Sequence, residues 1–253
     1  MTGPILFCGD PHGQFRHIVR AANELQAPAV VLLGDLQAER PLHEGLEAIA
    51  GRVWFIHGNH DTDTDRHWAN LWESRLADRN IDGRVVELPG GTRLAGLGGV
   101  FRKSVWYPGL PGESCFRSQE EHARLTPRQD RWRGGRHRRH WSSIYPDGLD
   151  RLSGLRAGIL VTHEAPGYHR NGFGVLDTLA RSLGAKVAVH GHQHDRLDSS
   201  DRWALQGFKS FGVGLRGITA IDADGHARVV VAGELDEQRN FRQCYIDMWK
   251  HLQ

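Results

Sequence analysis

The sequence predicts a single-domain α/β fold in which a largely parallel sheet packs against a second sheet of more antiparallel character. Three observations predict it. Five short apolar runs are continuous rather than alternating, the pattern of strands buried on both faces. Helically spaced segments separate the first three runs, so strand, helix and strand alternate as in right-handed crossover units. Beyond residue 194 the pattern shifts to short runs joined by a hairpin turn. The length of 253 residues suits one large domain better than two small ones.

Taken in order, Ile5-Leu6-Phe7-Cys8 runs into Gly9-Asp10-Pro11-His12, and residues 13–25 then carry Phe15, Ile18, Val19, Ala22 and Leu25 at helical spacing. Val30-Val31-Leu32-Leu33 ends at Gly34-Asp35, and Leu42, Leu46 and Ile49 mark a helix within residues 41–50. Val53-Trp54-Phe55-Ile56 ends at His57-Gly58-Asn59-His60-Asp61, followed by Trp68, Leu71, Trp72 and Leu76 in residues 66–77. Residues 158–161 run into Thr162-His163-Glu164, and residues 186–189 into His190-Gly191-His192-Gln193-His194. Further strand-like stretches cover 203–215, 217–222 and 227–232, the last two separated by the turn Asp222-Ala223-Asp224-Gly225. Residues 102–150 break this rhythm and read as an irregular insertion. The expected organisation is a body over residues 1–235 carrying that insertion, then a tail over 236–253. In the tail Phe241, Tyr245, Met248 and Trp249 predict a helix able to dock on the body or on a second copy.

Composition narrows the function classes. With 39% hydrophobic and 25% charged residues, the chain is neither disordered nor collagen-like. No apolar run approaches the roughly 20 residues of a membrane span. The start at Met1-Thr2-Gly3-Pro4 lacks a basic segment and a long apolar stretch, so a cytoplasmic protein with no membrane partner is expected. Cys8, Cys115 and Cys244 are too few and too scattered for a disulfide framework or a Cys-rich zinc knuckle. The 16 histidines prompt a search for clusters, because imidazole is the commonest metal ligand.

All five apolar runs place a polar cluster at their carboxyl end, where open α/β sheets gather ligands. Singly, such a cluster is more often a helix cap or a turn. Together, Asp10, His12, Asp35, Asn59, His163, His192 and His194 fall just past buried strands on one edge of the same predicted sheet and form a mixed imidazole and oxygen donor set. That mixture suits Mn, Fe, Co, Ni or Zn better than Ca or Mg. Seven ligands exceed the need of one tetrahedral ion, and a carboxylate such as Asp35 can bridge two.

The ordered motifs resemble those of the calcineurin-like metallophosphoesterases. They read Asp10-Pro11-His12, Gly34-Asp35, Gly58-Asn59-His60-Asp61, Thr162-His163 and Gly191-His192-Gln193-His194, with spacings of 25 and 24 residues between Asp10, Asp35 and Asn59. The resemblance implies two sheets sandwiched between helices and two divalent metal ions, manganese first among the candidates. It assigns Asp10, His12 and His194 to one metal and Asn59, His163 and His192 to the other, with Asp35 bridging. It also implies hydrolysis of a phosphomonoester or phosphodiester by a metal-bridging hydroxide, with His60 as the catalytic acid. Asp61 and Glu164 are expected to hold histidine tautomers behind the ligands. His57 and His190 are read as structural, and His169 as a surface residue first and a substrate contact second.

Two departures from the family bear on chemistry. Ala38 stands where relatives commonly carry the Asp that orients the catalytic His, so either Asp61, Glu39 or a residue of another loop replaces it, or His60 is less well poised and turnover is slow. The protein phosphatase branch is therefore a poor fit. Residues 128–141 hold six arginines against one acid, interleaved with Trp132 and Trp141, and Arg131, Arg133 and Arg136 are the candidate substrate contacts. A solvated or mobile surface loop with no ligand is the first reading of this segment, and substrate contact the second. For the whole chain the alternatives are a non-catalytic scaffold of the same fold and a nuclease or nucleic-acid binder that uses the arginines. The expected partner is a phosphorylated small molecule or a nucleotide.

Overall fold

The structure, a computed structural model, describes residues 3–109, 114–222 and 224–239. In chain order its strands and α-helices are β1 (Ile5–Cys8), α1 (Arg16–Glu24), β2 (Val30–Leu33), α2 (Leu42–Gly45), β3 (Val53–Ile56), α3 (Asp65–Trp72), β4 (Arg84–Glu87), β5 (Arg93–Leu97), α4 (Gln119–Leu125), α5 (Pro146–Ser153), β6 (Ile159–Thr162), α6 (Gly174–Leu183), β7 (Val187–His190), α7 (Trp203–Gln206), β8 (Lys209–Gly212), β9 (Ile218–Ile221) and β10 (Ala227–Val231). Two five-stranded sheets result, ordered β10-β9-β1-β2-β3 and β4-β5-β6-β7-β8.

Strand alternation explains the layering. Ile5, Phe7, Val31, Leu33, Trp54 and Ile56 of the first sheet meet Leu94, Ile159, Val161, Val187 and Val189 of the second in an inner core. Their sequence neighbours Leu6, Cys8, Val30, Leu32, Val53 and Phe55 point the other way, onto Ile18 and Ala22 of α1, Leu42 of α2 and Leu71 of α3. On the far side Ala95, Leu97, Leu160 and Ala188 pack against Leu149 and Leu152 of α5 and Leu176, Leu179 and Leu183 of α6. Each central strand is thus buried on both faces, which is why the runs carry no polar alternation. The fold is two mixed sheets flanked by helices in one domain.

Local signals set the helix ends. The Thr64 side chain accepts from the His67 backbone at 3.0 Å at the start of α3, and α6 stops at Gly184, whose φ of 71° is left-handed. Among the described residues no helix is long and apolar enough to cross a membrane.

Three expectations change. The five site-bearing strands do not share one sheet: β1, β2 and β3 lie in the first, β6 and β7 in the second. The antiparallel strands are also distributed differently, because β9 and β10 extend the first sheet while β5 to β8 are parallel throughout. Residues 203–215 are not one strand. They open with α7, which ends at Gly207 with φ of 82°, and only then enter β8. The predicted tail helix around 241–249 lies outside the described residues.

Candidate metal centre

The loops leaving β1, β2 and β7 turn just past the strand, and the turn is made in an unusual way. Asp10 and His12, Asp35 and Gln37, and His192 and His194 all have φ between 41° and 65°. Non-glycine residues hold this left-handed region at a cost of about 1–3 kcal/mol each, and such strain collects at functional sites. Each pair brackets one ordinary residue, so both side chains of a pair swing back toward the sheet edge. Glycines supply the clearance. A Cβ on Gly58 would lie 2.2 Å from Asp35 Oδ1, and one on Gly34 would lie 2.4 Å from His163 Nδ1.

The result is two groups of donor atoms that share Asp35. Asp10, His12, Asp35 and His194 present ligand atoms within 4.8 Å of one another, as do Asp35, His163 and His192. Asn59 joins the second group, with its Oδ1 3.3 Å from His163 Nε2. Second contacts orient the imidazoles. His163 Nδ1 donates to the Leu33 carbonyl at 2.7 Å, leaving Nε2 aimed at Asp35 Oδ2 3.4 Å away. His12 Nδ1 meets Gln37 Oε1, which turns His12 Nε2 toward His194 Nε2 at 3.3 Å. The His192 backbone N–H donates to both oxygens of Asp10 at 3.0 Å.

This arrangement fits divalent cations. Asp10 and Asp35 are both buried, and burial pushes the Asp10 carboxyl up to about 8 even with His163 beside it. Burial and the His163 charge hold His192 down at about 3, while burial and His12 hold His194 at about 4, so both stay neutral with lone pairs available. Two imidazole nitrogens facing each other beside two carboxylates is a geometry of lone pairs converging on one point. A cation there would satisfy all of them.

His60 lies at the rim, its backbone N–H donating to Asp35 Oδ1 at 2.8 Å and its ring centre 5.8 Å from that of His12. Its Nδ1 is 2.6 Å from Asp63 Oδ2. Burial opposes protonation, but the Asp63 hydrogen bond and the charges of Asp35 and Asp63 prevail and raise the His60 pKa. Asp63 thus makes the contact to the His60 ring that neither Asp61 nor Glu39 makes among the described residues. Asp61 accepts the backbone N–H groups of Gln37 at 2.7 Å and Gly58 at 2.8 Å, buckling two loops together instead of holding a histidine. Glu39 pairs with Arg66 and His67. Glu164 accepts from the Phe101 backbone at 3.1 Å, and its other oxygen is 3.8 Å from His192 Nε2.

The remaining candidates fall around this centre. Buried His57 packs on the Trp72 ring, and His190 takes a 2.7 Å hydrogen bond from the Tyr168 hydroxyl. His169 is not a surface residue: it is 3% exposed, with Nε2 3.2 Å from Asp195. The arginines of the insertion mostly face protein groups. Arg131 donates to the Thr126 carbonyl, Arg133 pairs with Glu73 over Trp68, and buried Arg136 donates to Gln119 and the His140 carbonyl over Trp141. Arg138 donates to the Thr62 and Asp63 carbonyls, bracing the turn that follows His60. Sequence patterning says little of Gln37 and Asp63, whose signal is their position two residues after Asp35 and three after His60.

Comparison with known proteins follows the same outline. The sequence model of the calcineurin-like phosphoesterases matches residues 3–196. An uncharacterised protein of Haemophilus influenzae is 38% identical over 224 residues, covering 88% of this chain and 95% of that protein. The protein TT1561 of Thermus thermophilus has a solved structure that superimposes with a TM-score of 0.58 at 15% identity, over 91% of this chain and 99% of that one. That structural likeness shows the fold.

Proposed function

This chain belongs to the calcineurin-like phosphoesterase family, and from that premise we propose a dinuclear metal-dependent hydrolase of a phosphomonoester or phosphodiester, including nucleotide-like substrates. The observation that carries the reading is the sharing of Asp35 between two donor groups, with His60 bonded to the same carboxylate. Asp10, His12, Asp35 and His194 would hold one cation, and Asp35, Asn59, His163 and His192 the other. When bound, two such cations clamp phosphoryl oxygens and lower the pKa of a coordinated water. The mixed nitrogen and oxygen donors favour manganese, with iron, cobalt, nickel or zinc as substitutes. Within this frame His60 gives a proton to the departing ester oxygen. Asp63 orients its imidazole and keeps it protonated. Free Cys8 and the sparse use of cysteine support a cytoplasmic location.

The test is hydrolysis of p-nitrophenyl phosphate and bis-p-nitrophenyl phosphate with Mn, Co, Ni or Zn supplied. Cleavage of neither ester with any of these metals would favour a non-catalytic scaffold. His60→Ala is expected to lower kcat by roughly 10²–10⁴-fold, the usual worth of a positioned acid; wild-type turnover in that variant would remove His60 from the reaction. Asp63→Asn tests orientation. A general acid works below its pKa, and Asp63 raises that of His60, so the upper limb of the kcat–pH profile is expected to move to lower pH in the variant. An unmoved limb would show that Asp63 does not govern His60.

A further inference from the structure

Two guanidinium groups beside the site lack the carboxylate partners that their neighbours have. Arg102 follows β5, and its backbone is pinned: its N–H donates to the Trp106 carbonyl at 3.1 Å, and its own carbonyl accepts from Val105 and Trp106 at 2.8 Å. The preceding residue, Phe101, donates to Glu164. Arg102 Nη2 reaches Ser142 Oγ at 3.4 Å, and that oxygen lies 2.7 Å from Thr62 Oγ1, two residues past His60. The side chain is thereby delivered between Glu164 and the catalytic turn. Its Nε is buried with no hydrogen-bond partner among the described residues.

Arg139 stands close by, its carbonyl 3.1 Å from the same Ser142 Oγ and its Nε donating to His140 Nε2 at 3.2 Å. Arg133 and Arg138 of the same segment each pair with a carboxylate, whereas among the described residues no carboxylate lies within 4.0 Å of Arg102 or Arg139. Burial and the Arg139 charge lower the Arg102 pKa despite the charges of Asp63, Glu164 and Asp35 nearby. The two residues meet at the Ser142 hydroxyl, through the Arg102 side chain and the Arg139 carbonyl, and half-buried Arg102 without a carboxylate leaves a standing demand for an anion.

We propose that Arg102 and Arg139 form a guanidinium clamp for the doubly charged phosphate of a phosphomonoester, so that this protein selects monoesters over diesters. The inference rests on the phosphoesterase reading above and narrows its substrate class. A phosphomonoester carries about −1.5 to −2 charge at neutral pH, whereas a diester retains a single ionised oxygen. Guanidinium forks match phosphate oxygens two at a time, so the second charge and the additional free oxygen are what the pair recognises.

The experiment titrates inorganic phosphate into the metal-loaded protein by calorimetry and measures kcat/KM for p-nitrophenyl phosphate and bis-p-nitrophenyl phosphate. It uses the wild type, R102Q, R139Q and R102K. Phosphate binding is expected to weaken roughly tenfold to a hundredfold in R102Q and R139Q, as for loss of hydrogen bonds to a charged group. The monoester to diester preference is expected to fall by about tenfold, and R102K, which keeps the charge without the fork, to recover part of both. Unchanged phosphate affinity and unchanged preference in the Gln variants would overturn the clamp. Should R102Q fail to fold, exposed Arg139 carries the same test through R139Q. A wild type that binds phosphate through these arginines yet cleaves neither ester would sink the phosphoesterase reading and leave the clamp standing.

Discussion

Asp35→Asn is expected to lower hydrolysis by more than about a hundredfold while leaving the far-UV circular dichroism unchanged. Loss of a partner that merely supports a metal ligand costs roughly 10–100-fold in affinity or activity, and in the proposed reaction Asp35 sits closer to the chemistry than that. It belongs to both donor groups, its Oδ2 faces His163 Nε2 at 3.4 Å, and its Oδ1 accepts the His60 backbone N–H at 2.8 Å. Asparagine keeps the shape and one acceptor oxygen but removes the charge that a shared ligand must supply. Metal content measured beside kcat separates the contributions. A variant with two bound metals and near-wild-type turnover would remove Asp35 from its shared position.

Gly58→Ala is expected to be the most damaging substitution for the fold of the site. The added methyl would lie 2.2 Å from Asp35 Oδ1, 2.3 Å from the Asp35 backbone nitrogen and 2.6 Å from His163 Cε1. None of these can yield cheaply, because the nitrogen is main chain and the two side chains are buried and hydrogen-bonded. Overpacking of this kind costs about 3 kcal/mol or more, which at this size is a fall in Tm of roughly 6–12 °C. Gly51→Ala provides the contrast, since nothing lies within 4 Å of its Cβ position. That change is expected to be neutral or to stabilise by up to about 1 kcal/mol through the unfolded chain. Differential scanning calorimetry decides, and a Gly58→Ala protein melting within about 2 °C of wild type would contradict the packing argument.

The damage at Gly58 reflects how the centre is assembled. Asp61 ties the Gly58 and Gln37 backbones together, and Arg138 ties the insertion to the Thr62 and Asp63 carbonyls. The insertion therefore supports the turn that bears His60. Its Trp132 and Trp141 rings pack against Trp68 of α3, so the arginine-rich stretch is anchored on the body by aromatic contact. Sequence composition alone made this stretch resemble an open basic loop, because it shows which side chains are present and not which faces they meet.

Legibility in the sequence followed chain proximity. The polar residues after Cys8, Leu33, Ile56, Thr162 and His190 could be picked out because each follows a doubly buried strand directly, and the structure gathers their side chains in one place. Neither the sharing of those strands between two sheets nor the joining of β9 to β1 had a local signature. Asp63 carries no sequence signal of its own, because its contact to the His60 ring depends on the 3-10 turn at His60–Thr62 bringing residues three apart together. His169 reads as a surface residue in the sequence because the Asp195 that it meets in the interior is 26 residues away.

By itself, then, the sequence determined the buried strands, the donor set at their carboxyl ends and the family resemblance, all of which rest on residue type and short-range spacing. Only the tertiary structure decided how the strands divide between sheets, which carboxylate contacts the His60 ring, and which arginines have no carboxylate partner among the described residues. Those outcomes depend on how two sheets and an insertion are placed against one another. Contacts between segments far apart in the chain set that placement, and no local pattern encodes it.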